Sequence, residues 1–256
     1  MGTRLDFSPV RKPLVFAHRG FSGAAPESTL AAFRKAMEAG ADMLECDVRL
    51  SKDRQVVVMH DPTLERTTNG RGRVVDHTLD ALKRLDAGAW FGPDFARERI
   101  PTLEDLLDLA GGRILVNIEI KEDGLAPYGI EELSDRTLDE VVAAKMLDQV
   151  LFSSFQSAAL ERLMEREPRG RVAFLYNRPW SGLSEVTGGK RYPALNLRHT
   201  HLTQEKVDAI HRDGMTVNVY TVNAPEEMLR FVRWGVEGII TNHPDRLMAI
   251  LRDRPR

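Results

Sequence analysis

Two carboxylates two residues apart, Glu45 and Asp47, stand in the otherwise apolar run Met43–Val48. On a strand, alternate residues share a face, so both acids point one way and the intervening Cys46 the other. Carboxylates held side by side repel unless a cation or protons compensate. An all-oxygen set suits a hard divalent ion, Mg²⁺ or Ca²⁺. An edge strand with a solvated acidic face would show the same spacing. The run Ile114–Ile120, extended to Lys121, repeats the pattern, with Asn117, Glu119 and Lys121 on one face. Charged groups on so apolar a strand need partners. Glu119 and Lys121 can supply that need to each other or to a ligand.

His18 and His60 each close an apolar run, in Phe16-Ala-His18-Arg19-Gly20 and Val58-Met-His60-Asp61. Histidine is the side chain best suited to acid–base work near neutral pH, and Arg19 offers a two-pronged grip on phosphate or carboxylate. A single histidine after a strand more often serves structure. Two such histidines near paired acids are less easily read that way. His77, His199, His201, His211 and His243 lack this setting and read as surface or packing residues, although His199 and His201 are same-face neighbours at a strand end. Cys46 is the sole cysteine, which excludes an internal disulfide.

Short apolar runs alternate with helical patterns along the 256 residues. The runs are Leu14–Ala17, Met43–Val48, Val56–Met59, Ile114–Ile120, Val150–Phe155, Val172–Tyr176, Ala194–Leu197, Thr216–Thr221 and Gly238–Thr241. Helices are predicted over Ser28–Ala39, Thr102–Ala110, Ser134–Leu147, Ser157–Arg166, Thr203–Asp213 and Pro225–Trp234, on capping residues, periodicity and terminating glycines. Apolar strands alternating with helices imply a parallel sheet covered by helices, and the length favours a closed (β/α)₈ TIM barrel. Nine runs are one too many. Only Ser51–Arg54 separates the second and third, a gap that joins antiparallel strands but not parallel ones. Gln55–His60 is therefore expected to fold back as a hairpin, and a tight turn at Asp53–Arg54 would set Asp47 opposite His60. From Pro62 to Arg99, turn residues, one short helix around Leu79–Leu85 and the aromatic pair Trp90–Phe91 read as an insertion over the C-terminal mouth rather than a separate domain.

Hydrophobic residues at 42% exclude a disordered chain, and a net charge of −2 gives no footprint for nucleic acid. No apolar run reaches the ~18 residues that span a bilayer, so stable membrane insertion is not expected. Met1–Pro13 lacks an apolar stretch long enough for a signal peptide, and Asp6 stands where a myristoylation motif needs Ser or Thr. A soluble, cytoplasmic protein is expected.

Several of these segments resemble the glycerophosphodiester phosphodiesterase family. They are His18-Arg-Gly, Pro26-Glu-Ser-Thr29, Glu45-x-Asp47-Val-x-Leu-Ser-x-Asp53, His60-Asp-Pro-Thr-Leu-x-Arg-Thr-Thr-x-Gly70, Leu85-Asp-Ala-Gly-x-Trp-Phe91, Ile100-Pro-Thr-Leu103, Glu119-Ile-Lys121, Ser153-Ser-Phe155, Tyr220-Thr-Val-Asn223 and Gly238-Ile-Ile-Thr241. They run in order from about Val15 to Leu247. Departures are Ser28 where Asn is common, Ser51 where Thr is common, Tyr220 where Trp is usual, and Asn242-His243 where an acid is usual. The resemblance implies a TIM barrel hydrolysing glycerophosphodiesters to glycerol 3-phosphate and an alcohol. It implies Glu45, Asp47 and Glu119 as ligands of one divalent ion, His18 and His60 as the acid–base pair, and Arg19 and Lys121 as phosphate contacts. Glu27 would orient its neighbours, with Trp90, Phe91 and Tyr220 shaping the substrate pocket. The rival readings are a lysophospholipase D-type activity on the same scaffold and a non-catalytic phosphate-ester binding module.

Overall fold

Eight parallel strands close on themselves in the computed structural model, which describes residues 13–253. In chain order the elements are β1 (Leu14–Ala17), α1 (Leu30–Glu38), β2 (Met43–Leu50), β3 (Val56–Val58), α2 (Leu79–Lys83), α3 (Leu103–Ala110), β4 (Leu115–Ile120), α4 (Ile130–Ala143), β5 (Val150–Ser154), α5 (Ser157–Arg166), β6 (Arg171–Tyr176), α6 (Leu183–Thr187), β7 (Ala194–Arg198), α7 (Gln204–Arg212), β8 (Thr216–Tyr220), α8 (Pro225–Trp234), β9 (Gly238–Thr241) and α9 (Pro244–Arg252). β1 pairs with both β2 and β9, which closes the (β/α)₈ barrel and leaves β3 outside it, antiparallel on β2. Residues 1–12, on which the absence of a leader and of a myristoylation motif was read, lie outside the described residues. Among the described residues no helix is long and apolar enough to cross a membrane.

Strand alternation sorts the side chains. Val15, Leu44, Cys46, Val48, Val116 and Ile118 face outward and bury against the helices. Leu14, Phe16, Met43, Leu115, Leu151 and Ile240 face inward and plug the lower barrel. Above that plug the inward positions turn polar, at Glu45, Asn117, Ser153 and Asn196, all buried. The change from apolar to polar marks the C-terminal mouth, where barrel enzymes build their sites.

The hairpin forms, but one residue out of the expected register. Val48 pairs with Val58 and Leu50 with Val56, so the Asp47 carbonyl accepts from Met59 N and not from His60. The turn has three residues rather than two. Ser51 N donates to Gln55 O, and Arg54 takes the left-handed conformation at φ 62°. Three-residue hairpins close through one such residue. The slip places Val57 and Met59 under the 62–99 segment with Leu64, Val74, Leu82 and Ile100. That segment carries α2, two short 3-10 turns and no barrel strand.

Most helix boundaries fall within two residues of expectation. Thr102 caps α3 with a reciprocal bond to Asp105, and Gly235 ends α8 at φ 76°. α4 instead begins at Ile130, ahead of the predicted Ser134, with Glu131 and Glu132 in its first turn favoring the helix dipole. α6 and α9 were not anticipated.

After β1 the chain turns sharply, with Arg19 at φ 54° and Gly20 at φ 78°. A Cβ on Gly20 would lie 2.6 Å from the carbonyl carbon of Ala32 in α1. Gly20→Ala is therefore expected to cost ~2 kcal/mol or more, from left-handed strain plus a clash with backbone. That corresponds to roughly 4–8 °C in Tm for a chain of this size. Thermal unfolding checks it, and an unchanged Tm would refute the account of this turn.

Candidate active site

Parallel register brings the acids together. β2 and β4 align Glu45 with Asn117 and Asp47 with Glu119, so Asp47 and Glu119 are lateral neighbours at the sheet spacing and Glu45 sits one pleat below. One oxygen from each of Glu45, Asp47 and Glu119 lies within 4.8 Å of the others. All three side chains are buried. At an effective dielectric of ~20, two charges ~4 Å apart interact by about 4 kcal/mol, so three bare carboxylates here repel strongly. The consequence is visible in their protonation. Burial, with Asp47 and Glu119 beside it, pushes Glu45 well above the ordinary carboxylate range. Burial and Asp47 push Glu119 up to about 7. Asp47 goes the other way, since Arg19 and Lys121 outweigh its burial and hold it below the ordinary value. Asp47 Oδ2 and Asn117 Oδ1 are buried without hydrogen-bond partners. Crowded oxygen donors lacking protein partners fit a hard divalent cation.

Two cations flank the triad. Arg19 N donates to Glu45 Oε2 at 2.7 Å, and Arg19 Nε lies 3.4 Å from Asp47 Oδ2, an ion pair without hydrogen-bond geometry. Lys121 Nζ donates to Glu119 Oε1 at 2.7 Å and sits 3.6 Å from Asp47 Oδ1. Lys121 is thus paired with Glu119, and a phosphate would have to draw it away.

His18 extends β1 by donating its N–H to Thr241 O at 2.9 Å. Its Nδ1 is 2.6 Å from Asn242 Oδ1. An amide oxygen only accepts, so Nδ1 carries the hydrogen and Nε2 is left with its lone pair. Burial and the neighbouring Arg19 lower the His18 pKa to about 4, which keeps the ring neutral. His60 Nδ1 is 2.6 Å from Asp61 Oδ1, a carboxylate rather than an amide. Burial lowers the His60 pKa while Asp47 opposes that shift.

Tyr220 lines a small cavity, of about 20 Å³, with His18, Glu45, Asn117, Glu119 and Asn196. Its hydroxyl donates to Tyr176 O at 3.2 Å, and its ring meets Phe155 edge-on. Glu27 accepts from Arg19 Nη1 at 2.9 Å. Trp90 and Phe91 do not join this group. They stack edge-to-face, 43% and 37% exposed, and Trp90 Nε1 donates to Ala87 O within its own segment. Ala87, rather than either ring, lines the small cavity against His60. His199 faces Glu227 and Phe231 on α8. Cys46 is buried on the outward face.

Sequence reasoning left three neighbours without a role. Asn242 follows Ile240 by two residues, an alternation signal at the end of β9. Arg49 continues the Glu45, Asp47 alternation. It is buried, and its Nε donates to His60 O at 2.9 Å while Nη2 donates to Asp123 Oδ1 at 2.8 Å. Arg66 lies in the 62–99 segment, where no periodicity could reveal it.

The raised carboxyls carry a sign. A Glu with an elevated folded-state pKa stabilises the fold below its unfolded value and loses that contribution as pH rises, here through about 7 for Glu119. A cation must displace the same protons, so it competes better at high pH. Added Ca²⁺ or Mg²⁺ at ~100 times Kd is expected to raise Tm by roughly 5–10 °C. At one fixed ion concentration the gain is expected to be larger at about pH 8 than at about pH 6. Equal gains at both pH values would contradict this charge balance.

Residues 18–246 match the sequence model of the glycerophosphoryl diester phosphodiesterase family. A glycerophosphodiester phosphodiesterase of Caldanaerobacter subterraneus subsp. tengcongensis is 40% identical over 246 residues, covering 94% of this chain and 98% of that protein. One from Bacillus altitudinis is 36% identical over 242 residues, covering 92% and 97%. Among solved structures, an Oleispira antarctica phosphodiesterase in complex with the product sn-glycerol-3-phosphate superposes with a TM-score of 0.84 at 29% identity, covering 94% of this chain and 97% of that one. The chain belongs to the glycerophosphoryl diester phosphodiesterase family.

Proposed function

We propose that this protein hydrolyses glycerophosphodiesters to glycerol 3-phosphate and an alcohol at the triad end of the barrel. The observation that carries the reading is the convergence of three buried carboxylates with two histidines and two cations at one mouth. Glu45, Asp47 and Glu119 would hold one divalent ion. Their oxygens, within 4.8 Å of one another, would be within reach of one hard cation bound at ~2.0–2.6 Å. Such an ion supplies charge neutralisation at a phosphoryl oxygen.

The protein's own groups do the rest. Arg19 and Lys121 stabilise charge that grows on the phosphoryl oxygens as the reaction proceeds. His18 Nε2, neutral and unprotonated, takes the proton of the attacking oxygen, that of water or of the substrate's own glycerol hydroxyl, as it bonds to phosphorus; in the second case water then opens the cyclic phosphate. His60 is assigned the opposite role because its Nδ1 partner is a carboxylate, which favours the charged ring against the burial that lowers its pKa. Its Nε2 proton passes to the bridging oxygen of the departing alcohol as the P–O bond breaks. The exposed Trp90–Phe91 pair is assigned to selection among head groups, together with the rest of the 62–99 segment.

Release of glycerol 3-phosphate from a panel of head groups, lysophospholipids included, with and without chelator, tests the reading. Activity abolished by chelator and restored by a divalent ion is the expected result; chelator-insensitive turnover, or preference for lysophospholipids, would overturn it. His18→Ala and His60→Ala are each expected to lower kcat by ~10²–10⁴-fold with the fold intact. For His60→Ala the loss should be much smaller on an aryl diester, whose leaving group needs no proton. Lys121→Met keeps the stem and deletes the charge. It is expected to reduce kcat/KM strongly while metal affinity and Tm hold, whereas weak metal binding with full activity at saturation would make Lys121 a structural partner of Glu119.

A further inference from the structure

The side chain that ties the site together most extensively is not among those assigned above. Arg66, 45% exposed, lies six residues beyond His60 and forms two forks. Its Nε and Nη2 donate to Asp61 Oδ2 and Oδ1 at 2.6 and 2.9 Å. Its Nη1 and Nη2 donate to Glu27 Oε2 and Oε1, both at 2.8 Å. Asp61 Oδ1 is also the atom bonded to His60 Nδ1, and Glu27 Oε1 is also the atom bonded to Arg19 Nη1. One guanidinium therefore stands at the centre of an unbroken chain, His60–Asp61–Arg66–Glu27–Arg19, that reaches Asp47 at 3.4 Å.

A half-exposed ion pair adds little to stability. What a fork adds is direction. A carboxylate held by one bond can swivel, whereas one gripped by two parallel N–H donors has its plane and its remaining lone pairs fixed. The Arg66 hydrogen bonds also hold the Asp61 carboxyl far below its ordinary range, so it remains an acceptor for the His60 ring. Only arginine presents enough coplanar donors to fork both acids at once; a lysine could reach both only through single, unforked bonds.

We propose that Arg66 is a positioning residue which, through its two forked contacts, fixes His60 for proton delivery to the leaving alcohol and Arg19 for the phosphate. It thereby makes both depend on the placement of the 62–99 segment. The inference rests on the activity and the His60 role proposed above. The proton that moves is the one on His60 Nε2; the Nδ1 hydrogen stays on the ring, bonded to Asp61, throughout.

The test compares two substrates with the same glycerophosphoryl group, glycerophosphocholine with an alkyl leaving group and glycerophospho-p-nitrophenol with an aryl one. Arg66→Met and Arg66→Lys are expected to lower kcat on the alkyl substrate by about 10- to 100-fold, short of the ~10²–10⁴ that the acid itself contributes. The loss on the aryl substrate should be only a few-fold. Asp61→Asn should reproduce the leaving-group-dependent part, and Glu27→Gln an equal loss on both substrates. Arg66→Lys keeps the charge and stem, so it reports on the fork even if Arg66→Met folds poorly. Equal losses on both substrates in the Arg66 variants, or rates within twofold of the parent, would overturn the proposal. His60→Ala separates this from the underlying assignment. If it too loses equally on both substrates, the His60 role fails; if it is leaving-group-sensitive while the Arg66 variants are not, the positioning role of Arg66 fails.

Discussion

The structure turns on a repulsion. Three carboxyl groups converge where one barrel strand meets its neighbour, buried and within a few ångströms of each other. Each pair would cost about 4 kcal/mol if both acids were ionised ~4 Å apart at an effective dielectric of ~20, far more than a surface ion pair returns. The protein answers only part of this. Arg19 and Lys121 hold Asp47 ionised, while Glu45 and Glu119 are driven toward their protonated forms. Such an arrangement suits added positive charge, and the remaining features of the mouth are organised about it.

The histidines are held near this centre by different means. His18 arrives on a barrel strand, locked to β9 by its backbone and to Asn242 by its ring. His60 arrives on a strand outside the barrel, with its carbonyl gripped by the buried Arg49 and its ring by Asp61. Burial lowers the pKa of both rings, but their Nδ1 partners differ in charge, an amide for His18 and a carboxylate for His60. Asp123 receives Arg49 as well, so the loop following Lys121 is tied to the segment bearing His60.

Much of this was legible in the residues because barrel physics writes it there. Strands buried on both faces must be apolar runs, so all nine were visible, and an acid interrupting such a run had to face inward or outward by parity alone. The four-residue gap at Ser51–Arg54 revealed the hairpin. Its register escaped because two- and three-residue turns differ by a single position, and the left-handed residue that distinguishes them is Arg54 rather than a glycine. The start of α4 was obscured because Gly129 offers no side-chain cap. Arg49 and Asn242 lay on readable alternations yet were passed over. Arg66 stands in the His60–Gly70 segment that carries the resemblance, but its role was not legible there, since its partners, Glu27 and Asp61, meet it only when the segment from 62 to 99 lies against the turn after β1.

The claim on which everything else depends is that the cation sits among Glu45, Asp47 and Glu119. Anomalous diffraction from crystals soaked in Mn²⁺ or Ca²⁺ measures it directly. The account predicts one strong peak bonded to an oxygen of each of the three carboxylates, lost in Asp47→Asn crystals. A peak elsewhere, or no peak under conditions where the same ion sustains turnover, would contradict it.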